Sequence, residues 1–224
     1  MKAIQCIFAA GLFSFAAIAP LAAKEGVVMK DGKLMFHKDG ENVEATEDVT
    51  LKDGTKVTRT GDVTSADGTT WKLQEGDNIA DDGTFRTHVI KDGIFKKDGK
   101  IMTVRAGEKA ELSAETTLTD GTKVMTDGSV ISKEGKKWSL KDNDAILSDG
   151  RVLLEGSVIV KDGKPLLVKE CMGEPVKDEI SLDGTKVRPD LAVTKKDGGG
   201  ETALKDGDIV KTDGTILRTA GDTE

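Results

Sequence analysis

Glycine falls about every seven residues through the stretch 51–85, at Gly54, Gly61, Gly68, Gly76 and Gly83, and each has an acidic neighbour on one side. A glycine in a helix interior costs roughly 1 kcal/mol against alanine, so a chain punctuated at this spacing does not build helices. The intervals leave room for a strand of four to six residues and a turn. Within them, apolar residues alternate with Lys, Thr, Arg and Asp, the pattern of strands with one buried face.

The stretch recurs. Gly32, Gly40, Gly54 and Trp71 return 67 residues later as Gly99, Gly107, Gly121 and Trp138. A further step of 64, from Gly99 to Gly163 and from Leu140 to Leu204, gives a third and more divergent copy. A period of this length is read before any local motif. Three repeats are expected, 26–85, 93–152 and 157–216, joined by short linkers at 86–91 and 153–156, with a polar tail, 217–224, expected to be disordered. Equivalent positions stay apolar: Val57, Val124 and Val187; Leu73, Leu140 and Leu204; Ile79, Ile146 and Val210; Phe85, Val152 and Ile216.

Each copy opens on two apolar runs separated by Asp-Gly, as in VVMKDGKLMF, IFKKDGKIMTV and VIVKDGKPLLV. Asp-Gly between such runs signals a hairpin, because a type I′ turn requires positive φ at both central residues. The expected fold is therefore all-β: tandem repeats of short-stranded antiparallel meanders, six or seven strands each, with Asp-Gly turns. One such meander is marginally stable alone. The short linkers favour copies stacked into a solenoid-like array over separate beads, and the sequence leaves both open. The segment 108–115, EKAELSAE, has mild helical character but reads, like 41–47, as loop or irregular strand.

Residues 1–23 stand apart. Lys2, the apolar run from Ile7 to Ala19 and the small residues Ala22 and Ala23 read as a secretory signal peptide cleaved after Ala23. The expected address is the periplasm or the extracellular side of the cell envelope, with no membrane span left after cleavage. Beyond the leader there is one cysteine, Cys171, so no internal disulfide framework is available. Cys171 sits in the segment 169–173, read as an insertion in a turn and hence exposed, where it would serve for thiol labelling or a disulfide-linked dimer. The net charge is −7, with bases interspersed among acids. That disfavours nucleic acid, which needs a basic stripe.

The hairpin VVMKDGKLMFHKDG, followed by LKDGTKV and LQEGDNIADDG, resembles a family of small secreted bacterial domains of unknown function, numbered 6799. All three repeats look like copies, the third departing at 169–173 and 196–200. The resemblance implies an exported β-rich module and nothing about activity.

Candidate chemistry is sparse. His37 and His88 have no second His or Cys at ligand spacing, so no zinc site is expected. There is no nucleophile elbow, P-loop or dinucleotide fingerprint, and neither an enzyme nor a cofactor is expected. The aspartate-rich turns offer carboxylates of the kind calcium takes: Asp77, Asp81 and Asp82, then Asp142, Asp144 and Asp149, then Asp206, Asp208 and Asp213. Asp77, Asp144 and Asp208 are the metal-binding alternative. Asp-Gly turns need no ion to explain them, so the leading expectation is no metal site. Trp71 and Trp138 are equivalent, and read as half-buried packing in a thin sheet rather than as a stacking platform. The leading reading is a non-enzymatic exported β-repeat protein, structural or binding; the alternative is a divalent-cation binder.

Overall fold

A computed structural model describes residues 25–38, 41–105 and 108–218. The expected leader, the turn glycines Gly40 and Gly107, and 219–224 lie outside them. Among the described residues there is no helix, and each repeat carries nine strands of two to six residues, more than the six or seven expected. The extra strands are two-residue bridges such as Val49–Thr50 and Lys56–Val57.

Each repeat folds as two small antiparallel sheets. The opening hairpin of the first repeat pairs Gly26–Lys30 with Lys33–Lys38 through Asp31 (φ 52°) and Gly32 (φ 70°), the expected type I′ turn. Glu41–Glu44 adds to its outer side. The chain then builds a separate four-stranded sheet from Val49–Thr50, Lys56–Val57, Asp62–Thr64 and Thr70–Lys72. It returns as Asn78–Ala80, which pairs back onto Gly26–Val28, and Phe85–His88 closes the set. The second repeat repeats this order around Gly93–Lys97, and the third around Val158–Lys161. Glu108–Glu111, in the segment with mild helical character, is a strand.

The two sheets of a repeat enclose a small core. In the first it holds Val27, Leu34, Val57, Val63, Leu73 and Ile79. In the second it holds Ile94, Ile101, Val124, Val130, Leu140 and Ile146, and in the third Val158, Val160, Val187, Val193, Leu204 and Val210. Every apolar position shared by the repeats falls in these cores, because residues two apart on a strand share a face.

The copies join out of sequence order. Phe85–His88 of the first repeat pairs with Met172–Pro175 of the third, producing one ten-stranded sheet. The second repeat keeps a separate five-stranded sheet, Glu108–Glu111, Lys100–Arg105, Gly93–Lys97, Ala145–Leu147 and Val152–Leu153. Its outer face supplies Phe95, Met102, Val104, Ala145, Leu147 and Leu153 to a shared central core. The third repeat supplies Ile159, Leu166, Val168 and Ile209 to the same core, and Val89 and Ile90 enter from between the first two copies. The segments expected to be linkers are thus structural. Phe85–His88 is a strand at a seam, and Leu153 is fully buried. Order also runs past Ile216, since Leu217 belongs to the last strand and Arg218 pairs with Asp208.

The turn at Cys171 corrects the reading of an inserted, exposed thiol. Lys169 pairs with Met172 as Lys38 pairs with Glu41 and Arg105 with Glu108, so the three turns are equally long. Glu170 (φ 54°) and Cys171 (φ 63°) occupy a two-residue turn in which Cys171 stands where the other copies have Gly40 and Gly107. Its side chain is 8% exposed and packs into the central core.

Candidate functional site

The repeated carboxylates are tied to backbone. Asp77, Asp144 and Asp208 each accept, through Oδ2, the N–H three residues earlier: Gln74 at 2.8 Å, Lys141 at 3.1 Å and Lys205 at 2.9 Å. A second acid in the same turn reaches across to the opening hairpin. Glu75 accepts from Asp31 and Gly32, Asp142 from Gly99 and Asp206 from Gly163, the glycine contact spanning 43 residues in every copy. The type I′ turn leaves these N–H groups unpaired, and a carboxylate is the stronger kind of acceptor for them. Asp82, Asp149 and Asp213 hold the N–H two residues on, while Asp81 pairs with Lys52.

Beyond this shared role the three metal candidates differ. Asp208 is fully buried, and Arg218 Nη1 lies 2.5 Å from its Oδ2. Asp144 is half-buried. Asp77 is buried, its Oδ1 has no hydrogen-bond partner, and desolvation raises its pKa against the opposing pull of Thr87, Gln74 and Lys161. Each sits in the turn of its own repeat. Among the described residues no group of three or more His, Cys, Asp or Glu is placed to hold a metal ion.

A second group of titratable side chains gathers where the three repeats meet. His88 ends the last strand of the first repeat. Its ring covers Gly76, where a Cβ would lie 2.1 Å from the imidazole. Lys109 of the second repeat brings its Nζ to 3.5 Å from both ring nitrogens and 5.9 Å from the Phe95 ring centroid. Lys161 of the third repeat donates to His88 O at 2.9 Å and to Thr87 Oγ1 at 3.4 Å. Burial, then Lys109 and Lys161, holds the His88 pKa down at about 4, so the ring is neutral at ordinary pH. Desolvation of its ammonium, then Lys97, lowers the pKa of Lys109. Arg86 crosses the seam to Glu174 at 2.8 Å and Glu170 at 3.1 Å. His37 is a buried strand residue whose Nδ1 lies 2.7 Å from Asn42 Oδ1.

Burial pushes the Cys171 thiol up to about 12. A thiol so rarely ionised is a poor nucleophile, and a disulfide to a second chain would require its turn to open. Trp71 is half-buried, packed edge-on against Phe85 at 5.7 Å, and its Nε1 lacks a partner. Trp138 packs at the same place in the second repeat, and Thr202 replaces it in the third, opposite Val193 as Trp71 is opposite Val63. The sequence located the turn carboxylates correctly. It missed the junction, whose residues come from one apparent linker (Arg86, His88), from strands of the other two repeats (Lys109, Lys161) and from the divergent turn and the strand after it (Glu170, Glu174). The one available signal was the apolar Val89-Ile90 pair inside a supposed linker.

Comparison with known proteins matches three tandem stretches, 24–85, 91–152 and 155–216, to a family described as Domain of unknown function (DUF6799). No curated protein matches. Among solved structures, alternansucrase in complex with isomaltononaose is similar over 86% of this chain at 14% identity, with a TM-score of 0.14. This chain spans 15% of that one, and a likeness of that grade carries no argument.

Proposed function

This chain belongs to the family Domain of unknown function (DUF6799) in three tandem copies, and on that premise we propose that it is an exported, non-enzymatic β-repeat protein, structural or binding, at the cell envelope. One observation carries the reading: the repeated polar residues are used to hold turns and seams. In every copy one acid secures its own turn and another secures the opening hairpin across 43 residues. The groups an enzyme would draw on, His88 and Cys171, have pKa values displaced away from neutrality, to about 4 and about 12. Export is tested by fractionating producing cells and sequencing the N-terminus of the recovered protein. The expected result is a chain starting at Lys24 outside the cytoplasm; an uncleaved cytoplasmic chain would overturn the export reading.

Divalent-cation binding through Asp77, Asp144 and Asp208 is the alternative, and the unpartnered buried Oδ1 of Asp77 favours it. Calcium sites of extracellular modules have Kd values near 10⁻⁴–10⁻³ M, so about 10 mM calcium would fill them. At a hundredfold excess over Kd a ligand stabilises the fold by about 2.7 kcal/mol. The expected outcome is a small, similar shift in Tm for calcium and magnesium. A large rise specific to calcium, lost on changing the three aspartates to Asn, would make cation binding the function.

A further inference from the structure

The seam inside the ten-stranded sheet is a joint that the module can make again. It sets the third strand of one repeat, Met172–Pro175, against the last strand of another, Phe85–His88, with Met172 opposite His88 and Gly173 opposite Thr87. One step along, Glu174 meets Arg86 in an ion pair at 2.8 Å. Among the described residues the same sheet ends on the same two strand types. At one end is Glu41–Glu44, the third strand of the first repeat; at the other is Ile216–Leu217, the last strand of the third. Neither has a strand neighbour on its outer side, and an open edge is a template for another strand.

The register of the seam can be carried onto these ends. Glu41 follows its hairpin turn as Met172 does, and Ile216 pairs with Val210 as Phe85 pairs with Ile79. Asn42 then falls opposite Arg218, and Val43 opposite Leu217. Where the internal seam sets Glu174 against Arg86, the two ends offer valine and leucine, so both members of the pair change from charged to apolar together. Val43 is 61% exposed, the exposed large hydrophobic among the described residues, and Leu217 is half-buried against the central core. A single exposed valine means little alone. Here its counterpart is supplied by the same chain, in a register the chain already uses.

We propose that copies of this protein associate head to tail, the Glu41–Glu44 edge of one pairing with Ile216–Leu217 of the next in the register of the internal seam. The contact is heterologous and leaves a free end of each kind, so it produces an open linear series and not a closed dimer. Glu41 and Glu44 lie on the same edge as Val43 and disfavour an acidic strand, and the facing strand Ile216–Leu217 carries no acid. The inference goes beyond the envelope reading and does not depend on it.

Sedimentation velocity on the purified protein, from micromolar to sub-millimolar concentration, tests it. The weight-average mass is expected to climb steadily past the dimer. Val43→Glu should hold the protein monomeric with an unchanged Tm, because Val43 makes little of the fold. Mixing Val43→Glu with Leu217→Arg in equal amounts should restore the series, since together they reproduce the pairing of Glu174 with Arg86. A monomer at every concentration, a plateau at dimer, or association that Val43→Glu leaves intact would overturn the proposal. If Leu217→Arg fails to fold, Val43→Glu decides alone; if both fold and the mixture stays monomeric, the register is wrong.

Discussion

The first and second repeats align position for position, yet the outer face of the hairpin sheet is wholly apolar in the second and only half apolar in the first. In the second repeat that face is Phe95, Met102, Val104, Ala145, Leu147 and Leu153, all in the central core. The same positions in the first repeat are Val28, Met35, His37, Asn78, Ala80 and Arg86. The third repeat sides with the second through Ile159, Leu166, Val168, Ile209 and Leu217. Inner faces make the module, and every copy keeps them. Outer faces decide what the module leans on. A sheet with both faces apolar must be covered on both, so the second and third repeats pack face to face. The first repeat, whose outer face mixes Val28, Met35 and Ala80 with His37, Asn78 and Arg86, joins by its edge.

That contrast can be broken by changing equivalent positions in different copies. The largest effect is expected at Leu153. Leu153→Ala should cost about 2–5 kcal/mol in denaturant unfolding, because it opens a cavity in the shared core. Its counterpart Arg86→Ala should cost about 1 kcal/mol or less, the usual range for a partly exposed ion pair. Similar losses at both would mean that the central core is not what joins the copies.

The junction should also be sensitive to acid. His88 has a folded pKa of about 4 against an ordinary 6.5, so folding favours its neutral form. Its contribution is complete above pH 6.5 and is lost as pH falls towards 4, on the order of 2–3 kcal/mol. Carboxylates titrate nearby, so the measurement is a difference. The stability of the wild type minus that of His88→Gln should fall by this amount between pH 7 and pH 4. A difference independent of pH would remove His88 from the junction.

A smaller effect separates the copies at a shared motif. DGTKV occurs at Asp53, Asp120 and Asp183. Asp120 accepts from Thr122 N at 2.9 Å and from Thr122 Oγ1 at 2.7 Å, and Asp53 does the same with Thr55. Asp183 instead takes φ 43° in a tight hairpin turn and pairs with exposed Lys196. Asp120→Ala should therefore cost about 1–2 kcal/mol. Asp183→Asn, which tolerates that φ, should cost under about 0.5 kcal/mol. Thermal melts of the two variants compare them directly.

The smallest change is expected at Cys171. Cys171→Gly relieves a left-handed conformation worth about 1–2 kcal/mol and gives up a small buried side chain of similar worth, so stability should move by less than about 1 kcal/mol. A thiol reagent should label the wild type only as fast as it unfolds. Rapid labelling of the folded protein would return Cys171 to the surface.

Much of the module was legible because its rules are local. Asp31-Gly32, Asp98-Gly99 and Asp162-Gly163 all take positive φ as a type I′ turn demands. Val57, Leu73 and Ile79 lie inward with their counterparts because strand periodicity leaves them no other face. The turn carboxylates were legible as turn residues for the same reason. DGTKV shows where this ends. The third copy has Leu182 directly before Asp183, whereas Lys52 and Thr119 intervene in the others. One residue fewer closes a two-residue hairpin, Leu182 pairing with Thr185, and the aspartate loses reach to the threonine.

By itself, then, the sequence determined the class, the number of copies, the turns and the inner cores, since each follows from φ preferences and a period of two within a few residues. Only the tertiary structure decided which copies meet. Pairing between Phe85–His88 and Met172–Pro175 joins segments far apart in the chain, and nothing local distinguishes a strand edge that will find a partner from one that stays open. The burial of Cys171 was decided in the same way. Its turn has the same length as in the other copies, and it is covered because it joins the core shared by the second and third repeats. Main-chain hydrogen bonds and apolar contact carry no sequence address, so the order of assembly is set by which faces and edges the folded modules leave unsatisfied.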